Sequence, residues 1–318
     1  MNKPIIAVVG ATGAQGGGLV RSILSDADRK FAVRAISRKP DSPVARELAS
    51  LGAEVVFGDL DEPASLERAF AGAHGLYAVT NFWEHFSPER EYAQAENIAH
   101  AAGHTEVSHV IWSTLEDTRE RVPLHDARMA TLMQRYKVPH FDAKGEADAL
   151  FRTLPTTFLR TSFYWDNLIH FGLGPRRDAD GALSFLLPMG DRKLPGIAAG
   201  DIGACAFGIF KRGPRFIGQT LGIAGEHLTG EAMSAQLSVV LGEPVRHVSM
   251  PHAVYAQLGF PGAEDLANMF QYKCDFNAEF CAQRPVALSR ELHPGLLSFS
   301  QWLASHRDRL QASLTGDL

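Results

Sequence analysis

The stretch Val8-Val9-Gly10-Ala11-Thr12-Gly13-Ala14-Gln15-Gly16-Gly17-Gly18 decides the fold of this chain of 318 residues. An apolar run from Ile5 to Val9 leads into it, and a helical pattern from Leu19 to Leu24 follows it. That order predicts a buried strand, a tight glycine turn and the start of a helix. The free N–H groups and the positive dipole end of such a helix form a cradle for phosphate groups.

The glycine spacing is G-x-x-G-x-x-G, which is typical of extended and atypical short-chain dehydrogenases. Gly10 allows the turn, Gly13 lets the backbone approach a pyrophosphate, and Gly16 lets the helix pack closely on the strand. The alternative is a glycine-rich turn without a ligand, which its position directly after a buried-type strand disfavours. The residues predicted to contact a dinucleotide here are Gly10, Ala11, Thr12, Gly13, Ala14, Gln15 and Gly16.

The composition indicates an ordinary globular protein with a sizeable core, since 45% of the residues are apolar and 21% are charged. The net charge of −5 disfavours direct binding of nucleic acid. The three cysteines, Cys205, Cys274 and Cys281, form no C-x-x-C motif, so we expect no metal centre and a reducing, cytoplasmic location. No signal peptide is visible, and no apolar run approaches the ~20 residues of a membrane span, so no membrane association is expected.

The end of the second predicted strand favours NADP(H) over NAD(H). The strand covers Phe31 to Arg38, and no carboxylate follows before Asp41. NAD-binding proteins place a carboxylate here for the ribose 2′-hydroxyl, whereas NADP-binding proteins place arginine near the 2′-phosphate. Arg38, with Lys39 beside it, is therefore predicted to hold that phosphate. The alternative is that both side chains form a solvated strand end.

The third predicted strand ends in Gly-Asp-Leu, at the carboxyl edge of the sheet where ligands bind. Asp59 is placed there to accept a hydrogen bond from the adenine amino group, with Leu60 against the ring. Asp61 suits the role of capping the helix that follows, which leaves Asp59 for the cofactor.

The fourth predicted strand ends at Thr80 and Asn81, which we expect near the middle of the cofactor. Phe82 and Trp83 follow, and they could form a wall of the nicotinamide pocket. Packing in the core is an equally good explanation of these two aromatic rings.

The acid–base motif of short-chain dehydrogenases, Tyr-x-x-x-Lys, is absent, because none of the six tyrosines has a lysine four residues later. His140 and Lys144 take the two positions of that motif, and Ser113 or Thr114 ends the strand that carries the substrate-binding hydroxyl. Imidazole can donate a proton near neutral pH, so His140 is a candidate acid. Otherwise catalysis has been lost and Lys144 only binds the ribose. We favour loss or strong weakening of catalysis.

Several motifs together resemble the NmrA-like family of atypical short-chain dehydrogenases, and within it most closely the HSCARG-type NADPH-sensor subgroup. They are G-A-T-G-A-Q-G-G, S-R-K, G-A-E-V-V-F-G-D, V-T-N-F-W-E, P-H-F-D-A-K-G-E, the run Leu258 to Phe270 and Gln301-Trp302-Leu303. The resemblance covers about residues 4 to 308. It implies NADP binding, and it implies that Tyr164, Trp165 and Asn167 contact the nicotinamide half. Family members are redox sensors or transcriptional co-regulators, and some bacterial relatives reduce quinones.

We therefore expect a Rossmann-type, doubly wound parallel sheet with a smaller, mostly helical C-terminal domain. Residues 1–157 form the first domain, to which about 182–224 return, and about 158–181 and 225–308 form the second, followed by a tail at 311–318. The predicted function is an NADP(H)-binding redox sensor or regulator with weak or no dehydrogenase activity. The alternative is an NADPH-dependent reductase of a quinone or similar carbonyl compound. A regulatory protein partner and a homodimer are left open.

Overall fold

The protein is described here by a computed structural model that covers residues 3–315. Its first half alternates strands and helices, as expected for a parallel sheet with crossover helices. The elements are β1 (Ile5–Val8), α1 (Ala14–Leu24), β2 (Ala32–Ser37), α2 (Pro43–Ser50), β3 (Glu54–Phe57), α3 (Pro63–Phe70), β4 (Gly75–Ala78), α4 (Pro88–His104), β5 (His109–Thr114), α5 (Pro139–Phe151) and β6 (Thr156–Arg160).

The second half mixes short strands with helices. Its elements are β7 (Phe163–Tyr164), α6 (Asn167–His170), β8 (Arg176–Arg177), β9 (Leu183–Leu186), β10 (Leu194–Ile197), α7 (Ala199–Lys211), β11 (Thr220–Gly222), β12 (Glu226–Leu228), α8 (Gly230–Leu241), β13 (Val245–Val248), α9 (His252–Tyr255), α10 (Ala263–Asp275), α11 (Asn277–Ala282), α12 (Val286–Leu292), α13 (Phe299–Ser305) and α14 (Arg307–Thr315).

Seven strands form one parallel sheet in the order β11-β6-β5-β4-β1-β2-β3. The strand order reverses between β1 and β4, and ligands of doubly wound sheets bind in the crevice at such a switch point. The predicted Rossmann-type fold is therefore confirmed. Within residues 3–315, every helix is too short or too polar to cross a lipid bilayer.

Side chains of β1 alternate between the two faces of the sheet, and each face carries its own apolar core. Ile6 and Val8 pack with α1 and α7, whereas Ala7 and Val9 pack with α3, α4 and α5. The helices α1 and α7 approach very closely, and glycine at 203 makes this approach possible. A Cβ at Gly203 would lie 2.0 Å from the backbone nitrogen of Leu19. This contact fixes α7 beside the start of α1.

The stretch 182–224 returns to the main sheet only in part. Its helix α7 packs on the sheet and its strand β11 extends the sheet at the edge beside β6. In contrast, β9 pairs with β8 and β13, and β10 pairs with β7 and β12, in two separate three-stranded sheets. These two strands do not join the main sheet, because their pairing partners lie in the C-terminal half.

The C-terminal region has a core of its own, which includes Trp165, Phe185, Phe270 and Trp302. The tail expected from residue 311 is instead helical as far as 315, and Leu310 of the same helix is buried. Residues 316–318 of the expected tail lie outside the described residues. The helices of this region cover the carboxyl edge of the large sheet, where they complete a cleft.

Candidate functional site

A cleft of about 1960 Å³ runs along the carboxyl edge of the sheet and under the C-terminal region. It brings together seventeen of the residues predicted from the sequence. These are Gly10, Thr12, Gly13, Ala14, Gln15, Gly16, Arg38, Asp59, Leu60, Thr80, Asn81, Phe82, Trp83, His140, Lys144, Tyr164 and Asn167. The other five predicted residues, Ala11, Lys39, Ser113, Thr114 and Trp165, lie outside its lining.

The glycine turn between β1 and α1 has the shape that a phosphate cradle needs. Gly10 has a φ of 65°, and the N–H of Gly13 donates to its carbonyl oxygen at 2.9 Å. A Cβ at Gly16 would lie only 2.3 Å from that same oxygen, so only glycine fits. Among the described residues no side chain caps the start of α1, and its first turn carries no acidic residue. This end therefore presents N–H donors and a positive dipole to the cleft. Ala11 is fully buried, so its side chain belongs to the core.

Arg38 lines the cleft at the end of β2, but its guanidinium is held by a carboxylate that the sequence analysis missed. Glu84 accepts hydrogen bonds from Nη1 at 2.5 Å and from Nη2 at 2.9 Å. Glu84 lies in the short 3-10 turn at 82–84, directly after the predicted cofactor residues Asn81 and Phe82. The position of Glu84 in that loop is the feature from which its place at the site could have been predicted. Lys39 is exposed and does not line the cleft.

The loop after β3 places Asp59 in the cleft wall, where its Oδ1 accepts from the backbone N–H of Asp61 at 3.0 Å. Asp61 itself binds Arg90 and Gln94 of α4. The predicted capping role of Asp61 is wrong, because Glu62 is the residue that precedes α3. The loop is nevertheless fixed, with its position set by these contacts to α4.

Lys144 of α5 reaches across the cleft to the end of β4. Its Nζ donates to the hydroxyl of Thr80 at 2.7 Å and lies 2.9 Å from Oε1 of Glu91. Glu91 is completely buried, and sequence analysis missed it. The burial of Glu91 could have been predicted from its position, since it lies on the same face of α4 as the apolar residues Ala95 and Ile98. The positive charge of Lys144 is therefore balanced inside the protein.

His140 lines the cleft and is oriented by Asp265, which lies on α10. Nδ1 of the imidazole is 2.6 Å from Oδ1 of Asp265, and the backbone N–H of His140 donates to the other carboxylate oxygen. The ring contacts that of Trp83 in a tilted arrangement, with centroids 4.7 Å apart and an interplanar angle of 50°. Within residues 3–315, Nε2 has no hydrogen-bond partner, so it is the nitrogen left for a ligand. Carboxylates that hold a histidine in this way fix its orientation and tautomer.

The side chain of Gln15 links three hydroxyl groups beneath the cleft. Its Oε1 accepts from Ser113 at 2.8 Å and from Tyr77, and its Nε2 donates to Tyr164. Ser113 is only 2% exposed, its hydroxyl donates to Gln15 within this network, and it does not line the cleft. Thr114 does not replace it, because its hydroxyl donates to Asp148 behind the sheet. Burial raises the pKa of Tyr164, whose phenol therefore stays protonated.

Trp165 supports the wall of the cleft from behind. It is 1% exposed and packs against Phe299 and Trp302 in the C-terminal core. A Cβ at Gly196 would lie 2.3 Å from its Nε1, so the indole fills a closed site. Trp165 itself does not line the cleft, whereas Tyr164 and Asn167 beside it do.

One group of potential metal ligands lies elsewhere on the surface. Side-chain ligand atoms of Glu67, His100 and His104 fall within 4.8 Å of one another, on α3 and α4. The two histidines have the i, i+4 spacing on a helix, which the sequence analysis did not single out. None of the three belongs to the cleft lining given above.

With this geometry in place, the chain can be compared with known proteins. Oxidoreductase FrzB of Cladobotryum sp., an NmrA-like family domain-containing protein, is 29% identical over 299 residues, which is 88% of this chain and 87% of that protein. The solved structure of the negative transcriptional regulator NmrA in complex with NADP has a TM-score of 0.75 at 23% identity, covering 96% of this chain and 95% of that one. Triphenylmethane reductase of Citrobacter sp., complexed with NADP(H), has a TM-score of 0.69 at 19% identity, covering 98% of this chain and 100% of that one. These structures share the fold described above. The NmrA-like family itself matches residues 2–303, so the chain belongs to the NmrA-like family.

Proposed function

We propose that the protein binds NADP(H) in the cleft and uses NADPH to reduce an apolar carbonyl or quinone compound. The binding half of the proposal is supported by the glycine cradle, in which a side chain at Gly16 would occupy the space next to the Gly10 carbonyl. Arg38 at the end of β2 would bind the 2′-phosphate of NADP(H). The solved NmrA and triphenylmethane reductase structures carry NADP on the same fold.

The residues that would hold the cofactor follow its length along the cleft. The cradle and Gln15 would bind the pyrophosphate, and Arg38 with Asp59 would bind the adenosine half. Lys144 and Tyr164 would bind the nicotinamide half. When bound, NADPH supplies a hydride, and the protein supplies orientation and a proton.

The observation that carries the reductase proposal is the His140–Asp265 pair, set at a cleft whose lining includes many apolar side chains. Asp265 orients the imidazole through Nδ1 at 2.6 Å, so that Nε2 can donate a proton to a carbonyl oxygen. The apolar part of the cleft lining includes Phe163, Leu173, Tyr255, Phe260, Leu266 and Met269. Such a lining favours flat, apolar acceptors.

The test is NADPH oxidation, followed by absorbance, with a panel of quinones and aromatic aldehydes. His140→Phe and Asp265→Asn should each lower kcat, by roughly the 10²–10⁴-fold typical of a lost general acid for the former and less for the latter. NADPH binding, measured by fluorescence titration, should change little in either variant. Equal rates in the wild type and in His140→Phe would refute the assigned role.

A second candidate is the redox sensor without turnover. It is favoured by the pairing of Lys144 with the buried Glu91, because a lysine whose charge is already balanced does not lower the pKa of a hydroxyl as the lysine of Tyr-x-x-x-Lys does. It predicts NADPH binding with no oxidation by any acceptor of the panel, and a difference in affinity between NADPH and NADP⁺. Sustained NADPH oxidation would exclude it.

A further inference from the structure

Lys273 is a buried lysine in the wall of the cleft. It lies on α10, is 3% exposed, and belongs to the cleft lining. Its Nζ is surrounded by the phenyl rings of Phe141, Phe270 and Phe280, at 5.5 to 5.8 Å from their centroids. Among the residues that the structure describes, its one hydrogen-bond acceptor is the sulfur of Met269 at 3.2 Å. Thioether sulfur is a weak acceptor, so the amine is poorly satisfied.

No carboxylate within residues 3–315 forms an ion pair with Lys273. Glu116 faces it, but both oxygens of that carboxylate accept from Arg284, at 2.6 and 2.9 Å. Arg284 and the thiol of Cys274 are the other titratable groups that influence it. Burial lowers the pKa of Lys273 to about 7, with Arg284 adding to the effect. A buried cation without a partner is costly, and an anion in the cleft would supply what the protein does not.

The position of Lys273 relates it to the proposed reaction centre. Asp265, Met269 and Lys273 follow one another at spacings of four residues, so they lie along one face of α10. Asp265 holds His140 at one end of this face. Lys273 lies two turns away, roughly 12 Å along the helix axis at about 1.5 Å per residue.

We propose that Lys273 is the recognition group for a carboxylate on the far end of an elongated aromatic ligand bound in this cleft. The phenyl rings of Phe141 and Phe280 contact the aromatic body, and the ammonium group of Lys273 binds the carboxylate. The placing of the other end at His140 rests on the proposed reductase function. The anion site itself does not, because it can be occupied without the cofactor.

Binding of simple probes tests the anion site directly. Naphthoate and its neutral counterpart naphthamide are titrated into the protein without cofactor, by calorimetry, with wild type, Lys273→Met and Lys273→Gln. Naphthoate should bind the wild type more tightly than naphthamide does, and its affinity should fall at least tenfold in both variants. Naphthamide affinity should stay equal or rise in Lys273→Met. Lys193→Met, which removes an exposed lysine outside the cleft, serves as the matched control.

Two results would overturn the proposal: equal preference for naphthoate and naphthamide in the wild type, or unchanged naphthoate affinity in properly folded Lys273→Met. Folding is checked by thermal melting and by NADPH titration. A further arm separates this proposal from the reductase function. If a biphenyl aldehyde with a carboxylate on its far ring is reduced, Lys273→Met should raise its KM at least tenfold while kcat changes little. If nothing is reduced but naphthoate binding depends on Lys273, the reductase proposal fails and the anion site stands.

Discussion

Glu84→Gln is expected to tighten NADPH binding and to leave NADH binding nearly unchanged. In the structure Glu84 occupies two donors of the Arg38 guanidinium, at 2.5 and 2.9 Å. A 2′-phosphate would need the same donors, so Glu84 competes with it and also repels it. NADH lacks the 2′-phosphate and therefore does not need Arg38 to be released.

The size of the effect follows from the exposure of the pair. The side chains of Arg38 and Glu84 are 48% and 43% exposed, so solvent screens their attraction. Exposed ion pairs contribute about 0.2–1 kcal/mol, and the two-pronged geometry favours the upper part of that range. At about 1.4 kcal/mol per tenfold, releasing Arg38 should improve NADPH affinity roughly two- to fivefold. Glutamine keeps the size of the side chain and one oxygen acceptor.

The assay is a fluorescence titration with NADPH and NADH, repeated at low and high salt because screening should shrink the effect. Arg38→Ala should weaken NADPH far more than NADH. Glu54→Gln, which removes the partner of Arg34 at a distance from the cleft, should change neither affinity. If Glu84→Gln tightened both cofactors equally, or weakened NADPH, the competition between Glu84 and the phosphate would be refuted.

Three further substitutions test packing and buried charge. Gly16→Ala should abolish NADPH binding and lower the free energy of unfolding by about 1–3 kcal/mol, because the new Cβ would lie 2.3 Å from the Gly10 carbonyl oxygen. Gly200→Ala is the control, since a Cβ there would meet no atom within 4 Å, and it should be neutral in thermal melts. Burial raises the pKa of Asp148 from 3.8 to about 6, so native stability falls as pH rises through that window. Asp148→Asn should then be more stable than the wild type at pH 7. At ~1.4 kcal/mol per pKa unit, the gain in the free energy of unfolding is at most about 3 kcal/mol. A urea midpoint no higher than that of the wild type would contradict this. For Lys273, the lowered pKa means that the unfolded state binds more protons between pH 7 and 10.5, so wild-type stability should rise with pH there. Lys273→Met should lose that slope in denaturation midpoints measured across the same range, and an unchanged slope would show that another group titrates.

The fold could be predicted because its signals are local. The turn from Gly10 to Gly16 and the strand that precedes it are adjacent in sequence, and the alternating strands and helices imply the parallel sheet. The hydrogen-bonding partners of the site could not be predicted in this way. Asp265 lies 125 residues from His140, and no spacing rule connects two helices that meet only in the folded chain. The ion pair of Glu91 was easier to predict, because a glutamate on the buried face of a helix needs a partner for its charge.

Trp165 shows a different limit. The resemblance to a family correctly directed attention to the segment after β6, and Tyr164 and Asn167 do line the cleft. A resemblance transfers positions, however, and does not say which side chain of a short strand faces the ligand. The indole instead fills the space beside Gly196, whose missing Cβ leaves room for it. Only the packing of both residues reveals that choice.

Four buried or partly buried cations of the described residues differ in a way that singles out one of them. Arg284 is paired with Glu116, and Lys144 with Glu91. Lys137 is 1% exposed and has no carboxylate partner, but its Nζ donates to two backbone carbonyls and a hydroxyl at 2.7 to 3.0 Å. Each of these cations is satisfied by oxygen atoms of the protein, and none of those oxygens requires a ligand. Lys273 has only the sulfur of Met269 and the faces of three rings, and of the two buried lysines without a carboxylate it is the one that lines the cleft. A ligand in the cleft that supplies an oxygen to this amine would relieve a cost that the folded protein otherwise carries.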